Sequence, residues 1–494
     1  MTVSDTITAN EFDVIVLGGG PAGVTAALRA RELGATVALV ERNLLGGTCT
    51  NDGCVPTRVL AKAARLMRDT QQFADYGLDA PKPTVSFAHV LERAQQVVYQ
   101  VHEKKQLKGH LEDLQIATFE NVGDARFIDS QRIQLADGHT LTGQKFVLCV
   151  GGHARKLDIP GGEHVWSHSD VWKLTTLPAS IAIIGSGATG CQFASVFNTF
   201  GVRVILLDLA PRILPTEDSS VSELMTSELQ ERGIEIHIGI KGVNRIEKDG
   251  NTLRLFFTAN GQEEMREVEA VMASVGWPGN LDSLNLEAAG VATQKSFIEV
   301  NDQLRTSVPH IYAAGDVTGR MMLVQTASDQ ARRAVENALL NQEQIDFNQN
   351  IPHGGFTDPE YAGVGLTEEQ AQEKAECIVA IVPYADMDRA VIDGNPVGFC
   401  KLIVDRSSHL ILGAHVVGEQ AVEVVQMVTT AMVGRMTVEQ VAEIEFAYPT
   451  FAAIIGLAAR QLARDLQVVP VARPWRSLSR QRIAEWERRK TEQA

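Results

Sequence analysis

Cysteine is scarce in this chain, six residues among 494, too few for a disulfide scaffold. Long apolar runs are missing too: no window approaches the ~18 uninterrupted apolar residues of a membrane-spanning helix. Positive charge is outweighed. Forty-five Lys and Arg stand against 61 Asp and Glu, a formal net charge of −16, which opposes sequence-independent binding of nucleic-acid phosphates. Low-complexity segments and short solenoid repeats are absent. The opening MTVSDTITANEFDVIV has no charged-then-apolar leader ahead of a cleavage site, so no secretory signal is expected and the expected compartment is the cytoplasm. What remains is an ordinary globular composition, 45% apolar and 21% charged. At roughly 150 residues per domain, the length suggests three to four domains.

The strongest pattern present is a duplication. Asp13 to Leu17 reads as a short buried strand, followed by Gly18-Gly19-Gly20-Pro21-Ala22-Gly23, a helical stretch to Gly34, and a strand ending at Glu41. Ile181 to Ile184 precedes Gly185-Ser186-Gly187-Ala188-Thr189-Gly190, a helix towards Gly201, and a strand ending at Asp208. In both units the acid follows the first glycine by 23 residues. Such glycines permit a tight turn and close approach of backbone to a pyrophosphate, while the helix start offers unpaired N–H groups. The acid accepts from adenine ribose hydroxyls. Two such units imply two nucleotide-binding domains. A carboxylate at Asp208 repels a 2′-phosphate, which favours NAD(H) over NADP(H); nearby Arg212 is read as a solvated loop charge.

Between and beyond these units, 84–113 carries helical periodicity and 115–150 alternates as short strands. Gly151-Gly152 and Pro160-Gly161-Gly162 mark a hinge, and 233–275 reads as a strand meander. From about 346 the pattern becomes α+β, with strands at 375–382, 400–404 and 410–416 and helices from Gln420. The tail after Pro470 is basic, and Trp475, Leu478, Ile483 and Trp486 there would share one face of a helix; a docked surface helix is expected rather than a membrane-surface anchor.

Cys49 and Cys54, in Gly46-Gly47-Thr48-Cys49-Thr50-Asn51-Asp52-Gly53-Cys54-Val55-Pro56, fall at the expected start of a helix. A helix amino end stabilises a thiolate and makes it reactive. No second Cys/His pair lies nearby, so a zinc site is not expected. Cys149, Cys191, Cys377 and Cys400 stand among apolar neighbours and read as buried, inert thiols.

The segment GGTCTNDGCVPTR closely resembles the redox-active GGTCxNxGCxPxK segment of class I flavoprotein (pyridine nucleotide-)disulfide oxidoreductases, whose members include dihydrolipoamide dehydrogenase, glutathione reductase and mercuric reductase. The resemblance covers nearly all of 11–470. TSVPHIYAAGD (306–316) is similar to the second flavin motif, VLCVGG (147–152) and ASVGWPGN (273–280) to the family's other glycine segments, and GFTDPEYAGVGLTE (355–368) with LGAHVVGEQAVEVV (412–425) to its dimerisation domain. The resemblance implies an α/β fold: two Rossmann-like nucleotide-binding domains, for FAD (1–150 and 281–345) and NAD(H) (151–280), plus an α+β dimerisation domain (346–470) before the tail (471–494). It implies a homodimer. It places FAD on Gly18, Gly20, Gly23, Glu41, Thr48, Gly315 and Asp316, and NADH on Gly185, Gly187, Gly190, Gln192, Asp208 and Gly276. Cys54 becomes the thiol facing the flavin and Cys49 the thiol that attacks substrate.

Four positions depart from the family pattern. The lysine four residues after the second cysteine is Arg58, and its glutamate partner is Gln192, so an arginine–amide hydrogen bond is expected in place of an ion pair. The carboxyl-terminal HPT segment reads Tyr448-Pro449-Thr450, and the glutamate that orients its histidine falls at Ala453. The acid–base dyad is therefore missing, and Tyr448 is either a packing residue with its hydroxyl satisfied or part of the substrate site. No carboxyl-terminal cysteine pair is present, since the last cysteine is Cys400, so mercury reduction is not expected. The expectation is an oxidoreductase passing electrons from NADH through FAD to Cys49 and Cys54, then to a small disulfide or other thiol-reactive oxidant. Dihydrolipoamide dehydrogenase, and a redox sensor or scaffold without turnover, are the alternatives.

Overall fold

The computed structural model describes residues 10–81, 83–342 and 350–468; the expected tail helix lies outside them. The described residues form two compact units, 10–211 with 233–342, and 212–232 with 350–468.

In the first unit, Glu11–Leu17 lies in parallel between Val37–Glu41 and Thr140–Leu148, with Ala117–Glu120 beyond Val37–Glu41. Ile311–Ala313, from far along the chain, also joins Thr140–Leu148 in parallel. The second sheet runs Glu235–His237, Arg203–Leu207, Ser180–Ile184, Ala270–Ala273, Val165–Trp166, all parallel. Val37–Glu41 and Ser180–Ile184 are buried along their whole length, as parallel strands covered on both faces require. The expected meander is a three-stranded antiparallel sheet, Gly242–Asp249, Thr252–Ala259 and Gln262–Val268.

Helix Pro21–Glu32 starts on Pro21, whose missing N–H costs nothing in a first turn. Its small buried face, Ala22, Ala26, Ala27 and Ala30, shares a core with Ala327, Ala331 and Ala334 of helix Val324–Leu340. Small side chains let the two backbones close up, and Arg29 with Glu336 at 2.9 Å pins the pair at its edge.

The second unit is an antiparallel sheet in the order His353–Gly355, Tyr361–Gly365, Ile411–Val417, Phe399–Asp405, Cys377–Pro383, sharing an apolar core with helices Ala421–Val433 and Ala453–Asp465. Its first two strands carry no clear strand signal because they are short and rich in glycine. The glycine is needed there: a Cβ on Gly355 would lie 2.2 Å from the Tyr361 ring. Cys377 corrects the expectation of four inert thiols. It is half-buried, whereas Cys149, Cys191 and Cys400 are buried.

Helix Ser219–Glu231 belongs to this second unit. Asp218 caps it, accepting from the Ser220 N–H at 3.0 Å, and also accepts from the Lys401 ammonium at 2.8 Å. Lys401 reaches Glu368 at 2.6 Å. Lys401 and Asp218 are 1% and 0% exposed, so removing Lys401 would leave a buried carboxylate without its cation, costing about 3–5 kcal/mol.

Candidate active site

The first glycine turn is shaped by contacts no side chain could share. Gly18 has φ +99°, and a Cβ there would sit 2.3 Å from the Cys149 carbonyl oxygen. A Cβ on Gly23 would sit 1.7 Å from the Gly18 carbonyl oxygen, so the helix start lies directly on the turn. Glu41 accepts from the Gly19 N–H at 2.6 Å and the Asn43 N–H at 2.7 Å.

The cysteine loop docks on this turn backbone to backbone. Gly46 N–H donates to the Gly19 carbonyl at 2.8 Å. Gly47, at φ +58°, comes so near Gly20 that a Cβ would be 2.8 Å from the Gly20 Cα. The two cysteines do not share one helix, as the sequence suggested. Cys49 lies within the five-residue helix Gly47–Asn51, and Cys54 opens helix Cys54–Asp69. The break at Asp52-Gly53 folds one sulfur towards the other, and Cys49 hydrogen-bonds Cys54.

That bond divides the pair. Accepting it holds the Cys54 thiol down to about 7, helped by the backbone N–H at the helix start and opposed by burial. Donating it, together with burial, pushes Cys49 up; only the Lys105 charge pulls it back. Cys54 is exposed and Cys49 half-buried. Asp316, distant in sequence, acts electrostatically on both sulfurs. Burial raises its own carboxyl, offset partly by the Trp277 indole. The buried Trp277 Nε1 nonetheless makes no hydrogen bond of ordinary geometry.

Segment 167–173 holds the loop between the cysteines. His168 Nε2 lies 3.1 Å from Asp52 Oδ2, Ser169 Oγ donates to Asp52 at 2.6 Å, and Trp172 Nε1 donates to the Asp52 carbonyl at 2.9 Å. Burial pushes the Asp52 carboxyl up, but the His168 and Ser169 bonds outweigh it and hold it below the ordinary range. The His168 ring also meets Trp277, centroids 5.4 Å apart.

The second glycine turn repeats the first. Gly185 has φ +100°, and a Cβ on Gly190 would sit 1.8 Å from the Gly185 carbonyl oxygen. Asp208 accepts from Ser186 N–H at 2.5 Å, Ser186 Oγ at 2.7 Å and Ala210 N–H at 2.8 Å. Around Gly187 nothing lies within 4 Å of a would-be Cβ. Gly276, at φ +129°, lies beside Arg155. Gln192 donates to the Ala188 carbonyl at 2.9 Å, and the helices carrying Arg58 and Gln192, Cys54–Asp69 and Ala188–Thr199, pack together. Arg212 bonds the Glu217 carbonyl at 3.0 Å within the second unit.

Within the single chain, Tyr448 has its hydroxyl satisfied and its ring open to solvent. It is 76% exposed, and its hydroxyl donates to Asp388 Oδ2 at 2.6 Å. The neighbouring carboxylate raises the phenol above its usual value. Ala453 supplies no carboxylate, but Asp388, from another part of the chain, does. Asp388, Asp52, His168 and Lys105 were missed from sequence because each matters only through a partner distant along the chain.

A model of the pyridine nucleotide-disulphide oxidoreductases matches residues 12–331, and one of the dimerisation domain of the same family matches 351–459. The chain belongs to this family. Among relatives, a mercuric reductase of Staphylococcus aureus is 32% identical over 92% of this chain and 83% of its own length. A dihydrolipoyl dehydrogenase of Zymomonas mobilis is 32% identical over 90% and 96%. The HOCl-induced flavoprotein disulfide reductase RclA of Escherichia coli superposes with a TM-score of 0.80 at 27% identity, covering 90% of this chain and 99% of its own. Membership makes the protein an oxidoreductase that uses FAD and a pyridine nucleotide, on the expected fold of nucleotide-binding and dimerisation domains. The dimerisation domain supports a homodimer. Among the described residues no helix is long and apolar enough to cross a membrane.

The residues fit FAD. The first turn leaves no room for side chains at Gly18 and Gly23. The desolvated Asp316 carboxyl, which acts on both cysteine sulfurs, and the buried Trp277 N–H, which makes no hydrogen bond of ordinary geometry, are groups that a polyhydroxylated ligand satisfies.

Proposed function

We propose that this protein is an NADH-dependent reductase of a small disulfide or other thiol-reactive oxidant, working as a cytoplasmic homodimer through a Cys49–Cys54 redox disulfide. The observation that carries this reading is the cysteine pair docked on the first glycine turn, with ionisation favoured at Cys54. In this reading Gly18, Gly20, Gly23, Glu41, Thr48, Gly315 and Asp316 hold FAD, and Gly185, Gly187, Gly190, Gln192, Asp208 and Gly276 hold NADH. FAD, when bound, relays the two electrons of NADH to the disulfide. In the resting reduced pair the charge is favoured at Cys54, Arg58 sets the local field, and Cys49 attacks the substrate sulfur. The substrate bond breaks, a thiolate leaves, and Cys54 then attacks Cys49, releasing the second thiolate and restoring the disulfide. Similarity to a protein described as a HOCl-induced disulfide reductase supports an oxidant as substrate.

Dihydrolipoamide oxidation is the second reading, favoured by the dihydrolipoyl dehydrogenase relatives. It requires removing protons from thiols of pKa about 8.5, and a positioned base contributes about 10²–10⁴-fold to such a step. Tyr448 offers a phenol whose proton is committed to Asp388, a poor base. One preparation tests both. NADH-driven reduction of an activated aromatic disulfide is expected to exceed dihydrolipoamide oxidation by NAD⁺ by at least about 10²-fold. Cys49→Ala and Cys54→Ala are each expected to abolish disulfide turnover with FAD retained. Wild-type turnover in either variant removes the proposed role of the pair; rapid dihydrolipoamide oxidation promotes the second reading. A protein without turnover on any oxidant is the sensor or scaffold.

A further inference from the structure

The reduced pair is left with a proton in the wrong place. One negative charge is favoured at Cys54, with the remaining proton on Cys49, yet attack on a substrate needs a thiolate at Cys49. A family histidine is not there to take that proton, since the corresponding residue is Tyr448.

The helix Phe87–Lys105 ends beside the short helix that carries Cys49. Lys105 Nζ donates to Thr50 Oγ1 at 3.3 Å, one residue from Cys49, and Thr50 is fully buried. One turn earlier, His102 Nε2 bonds Asn51 Oδ1 at 2.6 Å, so the same helix end grips two successive residues of the cysteine helix. The charged groups acting on Cys49 are the Cys54 sulfur, the Asp316 carboxylate and the Lys105 ammonium. Asp316 acts on both sulfurs alike, whereas Lys105 is among the influences on Cys49 and not among those on Cys54. Lys105 is thus the group that tells the two sulfurs apart in the direction catalysis needs.

We propose that Lys105 is a positioning residue of the proposed reaction: its ammonium, seated on Thr50, stabilises negative charge on Cys49 for attack on the substrate. The inference rests on the function proposed above. The proton passes from the Cys49 sulfur to the Cys54 sulfur, and the cation lowers the cost of the charge this leaves on Cys49. Cys49 then bonds to a substrate sulfur as the substrate S–S bond breaks. Cys54 releases its proton to water and closes the ring, so the two electrons from NADH end on two product thiolates, which take protons from solvent. The pair moves its own proton, and a fixed charge replaces a fixed base.

The test is the pH profile of Cys49 alkylation by iodoacetamide in full-length, FAD-loaded protein carrying Cys54→Ser, read by mass spectrometry at Cys49. Lys105→Gln is expected to move the midpoint up by about half a unit to one unit. Lys105→Arg should restore it, and the difference should shrink in about 1 M salt, where screening acts within ~3 Å. An unchanged midpoint in Lys105→Gln overturns the proposal, as does a shift that Lys105→Arg fails to reverse. If Cys54→Ser does not hold FAD, the same profile is read at Cys49 in protein reduced by NADH with Cys54 intact. Failure of the underlying function is separately visible: Cys49 and Cys54 would then alkylate equally with and without NADH.

Discussion

The two glycine turns are nearly the same object placed in different company. Each has a left-handed first glycine, a later glycine pressed onto the first one's carbonyl, and a carboxylate gripping the turn's own N–H. The first turn is roofed: Gly47 lies on Gly20, and Gly46 bonds Gly19. The second is open at Gly187. On the proposed assignment the roofed turn holds the resident FAD and ties it to the redox loop, while the open turn admits a nucleotide that must come and go. On that assignment the shared local chemistry sets what each turn holds, and the surroundings set for how long.

The largest effect expected from breaking this contrast comes from Gly47→Val. A β-branched side chain at φ +58°, with its Cβ 2.8 Å from Gly20, must push the loop off the turn, at a cost of about 1–3 kcal/mol or more. The protein is expected to purify with most of its FAD lost and disulfide turnover down at least about 10²-fold; normal flavin content would show that the roof is not part of the cofactor site. Asp208→Ser sharpens the second turn. Removing the charge that opposes a 2′-phosphate should change the NADH-to-NADPH ratio of kcat/KM by about tenfold or more, with flavin content unchanged. An unaltered ratio would mean that Asp208 only braces Ser186 and Ala210. The smallest effect belongs to Gly187→Ala. Its backbone at φ −70° suits any residue, and nothing crowds the added methyl, so thermal unfolding should stay put or rise slightly, a gain of about 0.4–1 kcal/mol, while KM for NADH rises. A large loss of stability would mean that the second turn is as enclosed as the first.

This contrast also marks how far the sequence could be read. Turns, terminal acids and the cysteine pair are legible because backbone geometry at glycine and the chemistry of a thiol near a helix start are local matters. The roof over Gly20 was half legible, since Gly46 and Gly47 precede the cysteines, but their contact with the first turn closes a distance the sequence does not measure. The break at Asp52-Gly53 is not legible, because a single glycine in a cysteine segment does not by itself separate two helices. Asp388 beside Tyr448 is invisible in the sequence: with Ala453 in place of the glutamate no local carboxylate is at hand, and only the fold brings one from elsewhere. Cys377 was misjudged from apolar neighbours because an outer strand exposes residues with the composition of a central one.

The buried Lys401–Asp218 contact has a consequence for the order in which the protein is made. Its partners are 183 residues apart in the chain. At about 5–20 residues per second of synthesis, Asp218 emerges roughly 10–40 s before Lys401 exists. Throughout that interval the cap of helix Ser219–Glu231 has no buried cation to meet, and the sheet against which the helix belongs has not been translated. The first unit has nearly all its strands well before then, so a ribosome paused past residue 342 would hold a nearly finished nucleotide-binding unit with a loose acidic helix, waiting for the strand that carries its lysine.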